Sequence, residues 1–546
     1  MICCNIAQLS CSKISSTDVL SVVNNLILFK DRGIMLLSAL NRFATACTAV
    51  MLAMLFAIGA SAAHANSLTI ATTWGPNAEV PDPRAGYNGW LSNQTGVTET
   101  LMGIDYEMNL YPRVAESIEQ ASPTQWRVTL RDVNYHDGTP VTAQSVVDSI
   151  AAILEEDNAG HNARVAKLLD LAGMSTDGDK VIVFDTNSAN AAFPWTLSEP
   201  GIAVLGPASE DFPINATGPY IFRESVPEQL YRAEANADYR EGAPGLSEVR
   251  VVVSGDPASA ALAFEAGEVD MVINYPEADF ERIQGTGAQG FSAPTARLYF
   301  YTVNAASGPM ANPLIRRAVS MAIDREGIVQ AALSGVGGEA AGTIYPEGKG
   351  WAADIAPAYD AAKAEALLAE AGAVKEGSQW MLDGEPLEID IVTYSSRAAL
   401  APTAELTQAF LQAIGVTSKV SVGEYGASND AIADGSADMF LQAWVTTPQG
   451  DPGAVLESLL KSDGGSNSGK YANPELDKLL EAGRETFADA ERRKIYNQAQ
   501  QIIADDAALI PVFHVSQVNV ARAELKNYAV HPTETYWVTH ETTLAK

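Results

Sequence analysis

Ser67-Leu68-Thr69-Ile70-Ala71-Thr72 alternates polar and apolar positions and predicts a strand, which Trp74-Gly75-Pro76 ends. Trp126 to Leu130 alternates in the same way. After Asp137-Gly138, a turn pair, Thr142 can cap a helix whose apolar side is Val146, Val147, Ile150 and Ile153. Beyond the aromatic loop that ends at Trp90, the pattern predicts a helix burying Val97, Leu101 and Met102. Asp360 to Gly372 reads as a capped helix of strong formers ending in glycine. Strand Pro386–Val392, helix Ala404–Ile414 and strand Val416–Val422 form a β-α-β unit. Asp489 to Asp505 predicts a further helix, before a strand from Leu509 to His514. The most informative stretch starts at Met439-Phe440-Leu441, a buried strand, and carries an indole at its end, Trp444. It then breaks at Pro448-Gln449-Gly450-Asp451-Pro452. Ligands of α/β domains collect beyond the carboxyl ends of strands, so Trp444 stands where a ligand wall would be. The plainer alternative is a core tryptophan before a surface loop.

Composition narrows the class. The 546 residues suffice for two or three domains, and 47% hydrophobic against 19% charged residues describes a globular chain. A net charge of −32 argues against nucleic acid as a partner. Cys3, Cys4, Cys11 and Cys47 are the four cysteines, and all lie in the first fifty residues, where the chain reads as a leader from Met35 on. From Met35, Arg42 supplies a positive region, Thr48 to Gly59 an apolar core and Ala63-His64-Ala65 a small-x-small cleavage site. This predicts a secretory signal peptide ending at Ala65, with residues 1–34 an over-called start and Met35 the initiator. The alternative, an N-terminal membrane anchor, is disfavoured by the short apolar core. A mature chain beginning near Asn66 has no cysteine, hence no disulfide, thiolate metal site or thiol nucleophile.

Seven short segments then fall in register with one family: Tyr135-His136-Asp137-Gly138-Thr139-Pro140, Ala216-Thr217-Gly218-Pro219-Tyr220, Phe264-Glu265-Ala266-Gly267-Glu268-Val269-Asp270, Pro313-Leu314-Ile315-Arg316-Arg317-Ala318, Tyr359-Asp360-Ala361-Ala362-Lys363-Ala364, the Trp444 stretch and Tyr471-Ala472-Asn473-Pro474. The mature chain resembles the extracellular solute-binding proteins of the peptide/nickel class (family 5), which serve ABC importers. The resemblance implies an α/β, periplasmic-binding-protein-like fold of type II: two hinged lobes, with an extra smaller domain inserted in the first. Lobe I is expected at 66–107 with 216–300 and 515–546, the inserted domain at 108–215 and lobe II at 301–514. It also implies a periplasmic monomer that captures a peptide-like solute or a nickel or other metal chelate. The partner is an inner-membrane ABC permease, and no cofactor is needed.

The candidate chemistry fits capture better than catalysis. His136, His161, His514, His531 and His540 form no H-E-x-x-H or i,i+4 pair, and His136 reads as structural. No G-x-S-x-G elbow, P-loop or dinucleotide glycine pattern occurs, so an exported hydrolase lacks a catalytic constellation. A receptor or chaperone on the same fold stays open. The peptide-binding members place an aspartate three residues after the tryptophan, on the peptide's ammonium; here that place is Thr447, beside Thr446. A hydroxyl cannot replace the charge-assisted bond of a carboxylate. The nickel-chelate binders carry a histidine further along and an arginine between the segments at Trp195 and Pro207. This chain reads Ser466-Asn467-Ser468 and Glu199-Pro200-Gly201 there. The candidate ligand contacts are therefore Trp444, Thr446, Thr447, Tyr87, Trp90 and Asn467. Arg164 and Arg397 are candidate clamps for a carboxylate, as is Arg84, each against the alternative of a surface ion pair. No metal site of the protein's own is expected.

Overall fold

In a computed structural model, residues 66–395 and 397–545 are described; the predicted leader and all four cysteines lie outside them. An 11-stranded sheet organises the chain. Its order is Thr417–Gly423, Glu388–Tyr394, Met439–Val445, Gln289–Val303, Leu509–Ala521, Met271–Val272, Ser67–Thr72, Glu248–Val253, Leu230–Ala235 and Tyr220–Val226, with Gly338–Ala340 paired to the side of Leu509–Ala521. The two long central strands, 15 and 13 residues, run antiparallel and carry register shifts between Pro294 and Leu298 and between Tyr299 and Phe300. Pro294 has no N–H to donate, which suits it to such an irregularity. The strand predicted to stop at His514 therefore continues to Ala521.

A separate four-stranded sheet, Ala115–Ser122, Gln125–Leu130, Val181–Thr186 and Leu171–Asp177, is covered by helix Ala143–Leu154. Thr142 caps that helix, accepting from the Ser145 N–H while the Ser145 hydroxyl receives the Thr142 N–H. One prediction fails locally. The helix after the aromatic loop is Asn88–Gln94, and Val97, Leu101 and Met102 are buried beyond it without being helical. Gly96 ends the helix at φ +71°, and the Tyr220 ring lies where a Cβ at Gly96 would go.

Helix Ala361–Glu370 and the parallel pair Glu388–Tyr394 and Thr417–Gly423 appear as read, although the intervening helix begins at Leu400. An aromatic-rich core gathers distant stretches: Ile104, Met108 and Trp195 pack with Tyr345, Trp351 and Tyr496. Trp195 and Trp351 meet edge-on at 5.8 Å between centroids. No helix among the described residues is long and apolar enough to cross a membrane.

Candidate functional site

Strands Glu388–Tyr394, Thr417–Gly423 and Met439–Val445 run parallel, so their carboxyl ends share one edge. Each delivers an aromatic group there: Tyr394 ends its strand, Tyr425 opens the helix two residues after Gly423, and Trp444 is the penultimate residue of its strand. Tyr394 and Tyr425 meet edge-on at 5.2 Å, and both rings reach Phe440, on the Trp444 strand, at 6.1 and 5.6 Å. Tyr425 donates to Gln442 Oε1 at 3.3 Å, and the buried Gln442 donates in turn to Thr302 at 2.7 Å. One side of Trp444 is set against Phe300, yet the residue stays half-buried.

Arg397 follows Tyr394 by three residues and is half-buried. Its guanidinium has no ion pair or hydrogen bond among the described residues. It lies close enough to Tyr299 to oppose the burial that pushes that phenol up to about 12. Arg297, on the adjoining strand opposite Val445, is by contrast closed in a bidentate pair with Glu534, at 3.0 and 3.2 Å. Arg84 is paired with Asp82 at 2.7 Å.

Beyond Trp444 the chain is pinned. The Thr446 hydroxyl reaches the carbonyls of Ala296 and Ile344, at 3.0 and 2.6 Å, and is committed to that role. Thr447 is 0% exposed and its hydroxyl has no partner. Gly450 adopts φ +82° against Trp195, its carbonyl accepts from Tyr345 at 2.8 Å, and Asp451 forms a buried pair with Arg492.

Tyr87, Trp90 and Arg164 form a second group, around Glu199. Glu199 is wholly buried; Arg164 donates to its Oε1 at 2.6 Å, and Gln449 donates to its Oε2. Arg164 also lies 5.3 Å from the centroid of the Tyr87 ring and lines a groove of ≈ 710 Å³ with Gln449. Trp90 is half-buried, its indole N–H unpartnered, in the helix whose Gly89 abuts the Pro200 carbonyl. Asn467 is spent on a turn, bonding Lys461 and Tyr471 through both ends of its amide. The structure thus gathers Tyr394, Tyr425 and Trp444 at one edge, with Arg397 beside Tyr299 three residues beyond Tyr394, and Tyr87 with Arg164 beside Glu199. Thr447 and Gln449 lie on the segment connecting the two. Sequence reasoning passed over Tyr394, Tyr425 and Gln449. The strand-end rule that found Trp444 also points to the first two, while Gln449 has no comparable signal.

His136 is neutral and structural in geometry: Nε2 meets the Gly218 carbonyl at 3.0 Å, and burial lowers the imidazole to about 4. Among the described residues, no group of three or more His, Cys, Asp or Glu side chains could hold a bare metal ion.

The aromatic edge lies at the carboxyl ends of parallel strands, where α/β proteins collect their ligands. The model of the bacterial extracellular solute-binding proteins, family 5, matches residues 109–467, and the chain belongs to that family. The chain is 26% identical over 426 residues to the probable D,D-dipeptide-binding periplasmic protein DdpA of Escherichia coli, covering 75% of this chain and 80% of that one. It is 24% identical to the nickel-binding protein NikA of Staphylococcus aureus, covering 85% and 92%. Among solved structures, a nickel ABC transporter protein from Bacillus halodurans superposes with a TM-score of 0.79 at 24% identity, over 88% of this chain and all of that one. The unliganded open form of the murein tripeptide-binding protein MppA gives 0.76 at 20% identity, over 88% and 98%. The fold is the two-lobed, periplasmic-binding-protein-like α/β architecture, and the protein is a solute-binding component of an ABC importer.

Proposed function

We propose that the captured solute carries a carboxylate or similar anion and no free ammonium: an amine-blocked peptide or a metal held in an organic chelator. The observation that carries this reading is Arg397, a guanidinium with no ion pair among the described residues, beside Tyr299 and in the loop that leaves the aromatic edge three residues after Tyr394. A planar guanidinium matches a carboxylate bidentately. Thr447, buried and without a charge, offers an ammonium no counter-charge. Of the relatives named for dipeptide and nickel binding, the dipeptide shares the carboxylate of this reading but also carries the ammonium that it excludes. A chelate supplies its own metal ligands and asks of the protein only aromatic surface and a few donors.

In this reading the mature protein works in the periplasm as a monomer. The lobes, 66–107 with 216–300 and 515–546 against 301–514, close about the shifted register of the long strands and present the closed form to the permease. Nothing is cleaved. Calorimetry tests the proposal with free-amine dipeptides, their N-acetyl forms, nickel alone and nickel with histidine. Blocked peptides or the chelate should bind, and Arg397→Ala should weaken them by roughly 1.5–3 kcal/mol, the range of a hydrogen bond to a charged group. Tight binding of plain dipeptides by the wild type overturns the argument, and tight binding of bare nickel overturns its chelate half.

A further inference from the structure

Neither oxygen of Glu199 is free, and the cation on it belongs to the chain itself. The same guanidinium lies over the Tyr87 ring. A carboxylate beside an aromatic face is a receptor for a guanidinium or an alkylammonium. Its occupant is not sealed in: the Arg164 side chain is 40% exposed, and Tyr87 is 66% exposed. Both walls are fixed without Arg164. Asn162 donates to the carbonyls of Arg84 and Gly86, at 2.8 and 3.0 Å, and so holds the Tyr87 loop onto the helix it caps. The Glu199 backbone is set by its N–H on the Thr196 carbonyl, at 3.0 Å, and by Ile202 N–H on its own carbonyl, at 2.8 Å. Gln449, which takes the other oxygen of Glu199, is two residues from the unpartnered Thr447 hydroxyl on the segment leading back to Trp444.

We propose that Glu199 and Tyr87 form a cation subsite for guanidinium or alkylammonium groups, that Arg164 is its built-in occupant, and that Arg164 thereby excludes solutes that depend on a free cationic group. The exclusion rests on the reading of the solute given above; the subsite itself does not. In this role Arg164 is a specificity residue, not a clamp for the solute's carboxylate.

Chemical rescue tests the subsite without any knowledge of the solute. Wild type, Arg164→Ala and Arg164→Ala with Glu199→Gln are titrated with methylguanidinium and butylammonium chloride against sodium chloride, reading melting temperature and calorimetric heat. Arg164→Gln, which keeps a donor near Glu199, replaces the alanine variant should the latter not fold. The expected result is a saturable stabilisation of the Arg164 variant, absent from the wild type and from the double variant. No saturable response in a folded Arg164 variant, or an equal one in the wild type, overturns the subsite. Alanyl-alanine and its N-acetyl form then test the exclusion. Removing Arg164 should move the preference toward the free amine by roughly tenfold to a hundredfold, the range of one hydrogen bond to a charge. Rescue with no such shift overturns the exclusion. Rescue with neither peptide binding any form leaves the subsite standing and removes the peptide part of the solute reading.

Discussion

Glu99 and Glu199 are both 0% exposed, and they do different things. Glu99 is enclosed by two cations: Arg113 at 3.0 Å, and Arg240 through both oxygens at 2.5 and 2.8 Å, with the Tyr239 hydroxyl at 2.9 Å. Arg113 and Arg240 are themselves only 11% and 17% exposed in their side chains. Arg113 continues to Asn93 and Tyr536, so the cluster ties three distant parts of the chain together. Glu199 has one cation and one neutral amide, and its cation opens onto a groove. Burial of a charge does not mark a functional site. What separates the two is whether water, or a solute, can reach the counter-ion.

The sharpest way to break this contrast is to remove each carboxylate. Glu99→Ala strands two buried guanidiniums and should cost about 3–5 kcal/mol of folding stability. Glu199→Ala should cost less, roughly 1–2 kcal/mol, because Arg164 can turn to water and only hydrogen bonds are lost. Urea titration measures both without the screening that guanidinium chloride would add. Equal losses would mean that Glu199 is structural in the same sense as Glu99.

Acid sharpens the contrast further. Burial pushes the Glu99 carboxyl up, but Arg113 and Arg240 outweigh it and hold it down to about 2, against an ordinary 4.5. Its folded value lies below its unfolded one, so its contribution is complete above pH 4.5 and is lost as pH falls toward 2. That difference is worth about 3 kcal/mol. Burial also lowers His136, His514 and His531 from 6.5 to about 4 each. The unfolded chain takes up those protons first, so stability should already fall between pH 6.5 and 4. Glu99→Gln should flatten only the lower part of a urea-midpoint profile. A profile unchanged by that variant would remove Glu99 from the account.

The contrast also explains what could be read from the sequence. Elements with local signals were legible. Asp360 accepts from the Lys363 N–H at the start of its helix, Gly372 follows its end at φ +91°, and Ser67–Thr72 is a strand, as its alternation suggests. The helix predicted from Ala404 starts at Leu400 because its N-cap is Ala399, which gives no capping signal. Trp444 was found because a strand end is a local feature. Glu199 could not be found that way: its partners are 35 and 250 residues away, and such pairings leave no spacing to read. For the same reason Arg164 and Arg397 look alike in sequence and differ only in their surroundings.

At the Trp444 edge the expected effect is in binding rather than folding. Trp444→Ala should weaken the blocked peptide or chelate that binds by roughly 1–3 kcal/mol, as buried aromatic anchors do. The wild-type indole fluorescence should change on titration with the same compound. Unchanged affinity in a folded variant would return Trp444 to the core, where Phe300 already holds one side of it.

The smallest effect is the most discriminating, because it sits between the two regions. Thr447 buries a hydroxyl with no partner, which is unfavourable in the empty protein. Valine has nearly the same shape and nothing to satisfy. Thr447→Val should therefore leave the free protein as stable or stabilise it by about 1 kcal/mol. If the hydroxyl is kept for the solute, the same variant should bind the blocked peptide or chelate more weakly. Stability and affinity would then move in opposite directions, which a purely structural threonine cannot produce. Both quantities come from one sample, by thermal unfolding and calorimetry. A loss of stability with unchanged affinity would assign Thr447 to packing, and the chain between Trp444 and Gln449 would then be only the connection between the aromatic edge and Glu199.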